Sequence, residues 1–118
     1  NLKVIREENL VERSRTLGEI LQPALRRLGQ KHSKHIGAVH GKGLVASLHM
    51  VKPGGIEPNA ALAAGVIRSC VEKGLLMFSP VGFGGASVKI APPLTIGEEP
   101  LRESLEVLEE AVEESIAN

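Results

Sequence analysis

Tryptophan, tyrosine and aspartate are absent from the 118 residues, and Phe78 and Phe83 are the only aromatic side chains apart from histidine. Without ring platforms for stacking bases, and with fourteen Lys+Arg against fourteen Glu for a formal net charge of zero, the composition argues against a nucleic-acid partner. Cys70 is the single cysteine. It excludes an intramolecular disulfide framework and a zinc site of the paired-cysteine kind, and it fits a reducing compartment. No apolar run approaches the ~20 residues that cross a bilayer, and Asn1-Leu2-Lys3 lacks the charged-then-apolar layout of a signal peptide. The expectation is a cytoplasmic protein with no membrane partner.

What remains is the composition of an ordinary soluble domain, 42% hydrophobic and 24% charged, long enough to bury one core without disulfide or metal. A single domain over residues 1–118 is expected. Because every acid is Glu, which competes less than Asp for backbone donors, the charged surface should be largely helical. Charge is uneven along the chain. Residues 1–52 carry ten basic and four acidic side chains (+6), and residues 53–118 carry four basic and ten acidic (−6), so the two halves should attract each other.

Leu10, Leu17, Leu21, Leu25 and Leu28, flanked by Ile20 and Ala24, recur at the three-to-four spacing of one helical face and predict a helix from about Leu2 to Lys31. Pro23 inside it predicts a kink or break near Leu21. His35 to His40 reads as a lead-in to Gly41-Lys42-Gly43, followed by a strand over Leu44–Val51 that Lys52-Pro53-Gly54-Gly55 ends. Asn59 to Lys73 reads as a helix with Asn59 as its cap, Leu62, Val66 and Cys70 on one stripe, Ala63, Ile67 and Val71 beside it, and Gly74 as its stop. Leu75–Phe78 is a candidate buried strand, Pro80–Gly85 a glycine-rich turn, and Ser87–Ala91 a further strand closed by Pro92-Pro93. Leu101, Leu105, Leu108, Val112 and Ile116 then mark a last helix whose remaining surface is covered by eight Glu between positions 98 and 114. The order helix, strand, helix, strand, strand, helix predicts an α+β domain, a small mostly antiparallel sheet with helices packed on one face.

Few residues carry chemistry. Gly41-x-Gly43-x-x-Ala46 matches the loose dinucleotide fingerprint, but that motif must follow a strand and open a helix, and here a strand follows, so the stretch reads as a turn. The same stretch is one residue short of a phosphate loop and lacks the Ser or Thr after its lysine. Of His32, His35, His40 and His49, only His32 and His35 have helical i, i+3 spacing, no acid lies beside them, and they read as a solvated helix end rather than a metal site. Cys70, on an apolar stripe, reads as an inert core thiol. Gly82 to Gly85 allows an anion-binding nest or a plain turn. Lys89 is the candidate binding residue: it faces opposite to Val88 and Ile90, on a stiff strand before a Pro-Pro corner, and places a cation where a substrate carboxylate would meet it. A solvated sheet-face lysine accounts for the same pattern.

Four blocks in order carry a resemblance over essentially the whole chain. They are Ile36-Gly37-x-Val39-x-Gly41-Lys42-Gly43-Leu44 before a strand; a helix ending Glu72-Lys73-Gly74-Leu75-Leu76; Val88-Lys89-Ile90-Ala91-Pro92-Pro93-Leu94-Thr95-Ile96; and the Glu-rich, Leu-patterned last helix. Together with Glu8-Asn9-Leu10-Val11-Glu12-Arg13 and Leu17-Gly18, they resemble the C-terminal small domain of the class III (omega) aminotransferases. The resemblance implies a fold type I pyridoxal-phosphate enzyme whose large domain, absent from this chain, supplies the Schiff-base lysine, the aspartate facing the pyridine nitrogen and most of the phosphate site. It implies no catalytic, cofactor-binding or metal-binding residue in this segment, and Lys42, Lys52, Lys73 and Lys89 are not in the Schiff-base context. At the position of Lys89 the family usually has an arginine that clamps the substrate carboxylate, and at that of His40 commonly another arginine. Both depart here.

The implied function is transfer of an amino group from an omega-amino acid, amine or amino acid to a 2-oxo acid, in an intact enzyme that is a homodimer and binds pyridoxal 5'-phosphate, with this segment inactive alone. A free-standing binding or regulatory module is the rival from another class. A relative using the same cofactor for racemisation, decarboxylation or an amino shift is the third reading.

Overall fold

The computed structural model describes residues 2–74, 86–92 and 96–117. Its elements are α1 (Leu2–Lys31), β1 (Ile36–Lys42), β2 (Val45–Met50), α2 (Ala60–Glu72), β3 (Ser87–Ile90) and α3 (Glu98–Ala117). Phe78, Phe83, the expected strand Leu75–Phe78 and the glycine-rich turn Pro80–Gly85 lie outside the described residues, as do Pro93, Leu94 and Thr95.

The leucine stripe of α1 is buried as its spacing requires, with Leu17, Leu21, Leu25 and Leu28 all in the core. The helix runs through Pro23 without the expected break. Proline removes the bond to the carbonyl of Glu19, and because Glu19 is solvent-exposed, losing that one bond costs little against the buried leucine stripe and the helix persists.

The sheet has the order β1-β2-β3 and is antiparallel throughout. The lead-in at His35–His40 is in fact most of β1, a strand that glycines concealed: Gly37 sits at an irregularity in the pairing between Ile36 and Ala38, and Gly41 pairs with Ala46. Gly43 and Leu44 make the two-residue connection to β2, and Gly43 at φ 61 with no positive φ at Leu44 is the pattern of a type II′ turn, which only glycine enters without strain. The strand read as Leu44–Val51 is therefore shorter, and Val51 forms an isolated bridge to Pro58. Among the described residues the order is helix, strand, strand, helix, strand, helix.

Ala46, Leu48 and Met50 of β2, and Val88 and Ile90 of β3, point to one face and are buried. Helices α1 and α2 cover that face, and α3 packs on both of them. Asn59 caps α2 by accepting a hydrogen bond from the Leu62 N–H at 3.0 Å, and Gly74 (φ 82) follows its end. On α2 the principal stripe of Leu62, Val66 and Cys70 is buried with Ala63, while Val71 is exposed. Helix α3 buries Leu101, Leu108, Ala111 and Val112 in the same cluster as Leu21, Leu25 and Val66, so one hydrophobic cluster joins all three helices to the sheet.

The expected attraction between the halves is seen where Lys31 at the end of α1 reaches Glu113 of α3 at 2.9 Å and Glu109 at 3.6 Å. Within the acidic half, Lys73 after α2 reaches Glu114 at 2.9 Å and Glu110 at 3.8 Å. His32, read as a solvated helix end, is instead mostly covered and lies 3.3 Å from Glu113, because α3 returns to it from far along the chain. Among the described residues no helix is long and apolar enough to cross a membrane.

Candidate functional site

With the helices on one face, the other face of the sheet is left uncovered by the described residues. Alternation along the strands and the pairing register place Ala38, His40 and Lys42 of β1, Val45, Ser47 and His49 of β2, and Ser87 and Lys89 of β3 on it. His40 pairs with Ser47, and Ser47 with Lys89, so these three side chains stand in one row across the sheet. In the next row Ala38 pairs with His49 and His49 with Ser87, where His49 Nδ1 and Ser87 Oγ are 3.1 Å apart and share one hydrogen bond.

Lys89 is exposed between buried Val88 (3%) and Ile90 (1%), as its sequence context predicts. Its neighbours on each side anchor the strand in the core, so the ammonium is carried on a fixed base. Neither Lys42 nor Lys89 forms an ion pair among the described residues. The two positions that the sequence reading marked as unusual, His40 and Lys89, are thus flanking members of one row. Ser47 and Ser87 escaped that reading, and His49 entered it only as a rejected metal candidate. Alternation along the β2 segment carries the signal for Ser47 and His49, but their partners come from the register.

The β1–β2 tip is pinned from below. Gln22 of α1, almost fully buried, donates from Nε2 to the carbonyls of Gly43 at 2.8 Å and Val45 at 3.2 Å. Beside it runs an open groove of about 720 Å³ between α1 and the tip, lined by Ser14, Gly18, Gln22, Arg26, Lys42 and Gly43 among others.

The other candidates fall to structural roles. The Gly41–Ala46 stretch is a hairpin, with no helix N-terminus to receive a pyrophosphate. Cys70 is buried in the core, and burial pushes its thiol up to about 11 against a weaker opposing pull from Lys73. Gly82–Gly85 lies outside the described residues.

Residues 1–112 match the sequence model of the family described as aminotransferase class-III. The chain is 35% identical over 113 residues to the 5-aminovalerate aminotransferase DavT of Pseudomonas putida, covering 96% of this chain and 26% of that protein. It is 30% identical over 115 residues to the alanine/serine racemase of Pyrococcus horikoshii, covering 98% of this chain and 24% of that one. Among solved structures, a phospholyase from Arthrobacter in complex with phosphoethanolamine superposes with a TM-score of 0.81 at 28% identity, over 95% of this chain and 26% of that one. The chain spans about a quarter of the length of these relatives. Matched over nearly all its residues in both sequence and fold, the chain belongs to the class-III aminotransferases.

Proposed function

We propose that this chain is the small C-terminal domain of a pyridoxal-phosphate-dependent transaminase that moves an amino group from an amino donor to a 2-oxo acid, and that its open sheet face is the wall turned toward the substrate. The carrying observation is Lys89, a cation on a strand anchored by buried neighbours, standing in a row with His40 and Ser47 on the sheet face that no helix covers among the described residues.

On this reading no residue of this segment anchors the cofactor: Lys31, Lys52 and Lys73 are engaged by glutamates at the surface. The large domain of the intact enzyme would hold the cofactor, which supplies the electron sink for the reaction. The contribution of this segment is to close over the substrate and orient it. On this reading the segment has no transaminase activity alone, and the intact enzyme is a cytoplasmic homodimer assembled largely through its other domain.

Arginine holds a carboxylate by two parallel charge-assisted bonds, whereas Lys89 offers a point charge on a flexible stem. Such bonds contribute about 1.5–3 kcal/mol each, so a carboxylate held here is bound tenfold or more weakly than by a fork. An ordinary α-amino acid is for that reason not the expected donor at this position. In the full-length enzyme Lys89→Ala is expected to change the donor profile and lower kcat/KM; unchanged donor preferences and rates would remove Lys89 from the site. Racemisation is the second reading, favoured by the racemase among the relatives. Product analysis separates the two: a carbonyl product from the donor together with conversion of the 2-oxo acid to an amino acid marks transamination, and loss of optical rotation without either marks racemisation.

A further inference from the structure

Gln22 and Ser104 are the two polar residues buried among the described residues, and Gln22, 8% exposed, stands next to Leu21 of the α1 core stripe. Its partners, the carbonyls of Gly43 at 2.8 Å and Val45 at 3.2 Å, can only accept. The amide nitrogen must therefore face them, both of its hydrogens are taken, and the side chain is fixed in direction as well as in place. Because the two acceptors flank Leu44, one amide grips the β1–β2 turn on both sides.

The strand that enters this turn has little else to place its end. β1 stands at the end of the sheet order and is hydrogen-bonded to β2 alone among the described strands. Ile36 at its start is buried, whereas His40, Gly41 and Lys42 at its end are exposed and anchor nothing in the core. Lys89 of β3 is placed differently, by a buried neighbour on each side. The end of β1 therefore depends on its ladder with β2 and on the turn. Burial of Leu44 and the close approach of Gly18 to Gly43 seat the turn on α1, but apolar burial is non-directional. The two hydrogen bonds from Gln22 supply the direction.

We infer that Gln22 is a positioning residue for the reaction: without touching substrate, it locks the β1–β2 turn against α1 and so holds the His40 and Lys42 end of the uncovered sheet face in a fixed place relative to Lys89. Without its two bonds the turn is free to shift on the helix, and a misplacement of about 1 Å in a substrate-positioning element can cost about 100-fold in rate. This rests on the reading that the uncovered face meets the substrate, and it names the residue that keeps that wall in register with the helix beneath it.

The test uses the full-length, cofactor-loaded enzyme with 2-oxoglutarate as acceptor and whichever of 4-aminobutyrate, 5-aminovalerate and L-alanine it consumes fastest as donor. Loss of folded enzyme lowers the number of active sites and leaves KM as it is, whereas a displaced wall changes KM at every site. Gln22→Met, of nearly the same shape without a donor, is expected to raise the donor KM threefold or more and to lower kcat/KM tenfold or more, counted per cofactor-loaded site. Gln22→Glu, which turns a carboxylate toward the same two carbonyls, is expected to do so at least as strongly. Val112→Ala is the control, a core truncation beside the Lys31–Glu113 pair at the other end of α1, and is expected to lower Tm while leaving the donor KM within twofold. A donor KM unchanged in both Gln22 variants, or moved as far by Val112→Ala, overturns the inference; if Lys89→Ala still alters the donor profile, the substrate wall stands without it. If Lys89→Ala is silent as well, or the unaltered enzyme consumes no donor, both fall.

Discussion

Gly18 of α1 meets Gly43 at the β1–β2 turn so closely that a Cβ on Gly18 would lie 2.8 Å from the Cα of Gly43. This contact sets the height of the hairpin over the helix, and with it the position of the strand that carries His40 and Lys42. The obstruction is backbone on both sides, so no rotamer relieves it.

Gly18→Ala is therefore expected to destabilise the protein by about 1–3 kcal/mol, the range for overpacking, seen as a lower denaturant midpoint. Gly65 in α2 supplies the control, because a Cβ there meets only Ser115 at 3.6 Å, an ordinary contact. Gly65→Ala is expected to raise stability by about 0.5–1 kcal/mol through helix propensity alone.

Gln22 secures the same hairpin by two hydrogen bonds, to Gly43 at 2.8 Å and Val45 at 3.2 Å. Truncation leaves both carbonyls without that donor. Gln22→Ala is expected to cost about 1–3 kcal/mol, measured by thermal or denaturant unfolding, and to speed amide exchange in the β1–β2 turn relative to β3.

The paired glutamates of α3 predict the pH response. Hydrogen bonding from Lys31 holds the carboxyl of Glu113 below its ordinary value of 4.5, and hydrogen bonding from Lys73 does the same for Glu114. Their folded values lie below their unfolded ones, so this stabilisation is complete above the ordinary carboxylate value and is lost as pH falls through the depressed values. Lys31 and Lys73 are raised above 10.5, chiefly by hydrogen bonds to Glu113 and Glu114, so their share is complete below that value and is lost as pH rises through the raised values. Tm measured against pH is expected to fall at both ends, and Glu113→Gln with Glu114→Gln to shrink the acid loss. Because these side chains are largely solvated, added salt is expected to weaken the effect.

Cys70 predicts a reactivity pattern. With its thiol raised to about 11 by burial, the folded protein is expected to react negligibly with an aromatic disulfide reagent at about pH 8, and to release one equivalent once unfolded. Rapid labelling of the native protein would place Cys70 outside the core.

The helices were legible because their information is local. The leucine spacing of α1, the Asn59 cap and Gly74 stop of α2, and the repeat of α3 each act within a few residues, and the observed bounds agree closely with the expected ones. β1 was hidden because Gly37 and Gly41 have poor strand propensity taken alone, and the segment becomes a strand only when β2 supplies its hydrogen bonds. His32 was misread for a related reason: its partner, Glu113, lies far along the chain, and nothing adjacent announces it.

The candidate site divides in the same way. Alternation between buried Val88, exposed Lys89 and buried Ile90 is a property of the local chain, and it already directs the Lys89 cation away from the core. That Ser47 stands beside it, and His40 beyond Ser47, follows from the register of three strands whose pairing is set by the Gly43-Leu44 turn and by burial of Ala46, Leu48 and Met50. A slip of one residue would turn those apolar side chains to water and replace every member of the row, so cooperative burial of the opposite sheet face, rather than any local preference, assembles this row.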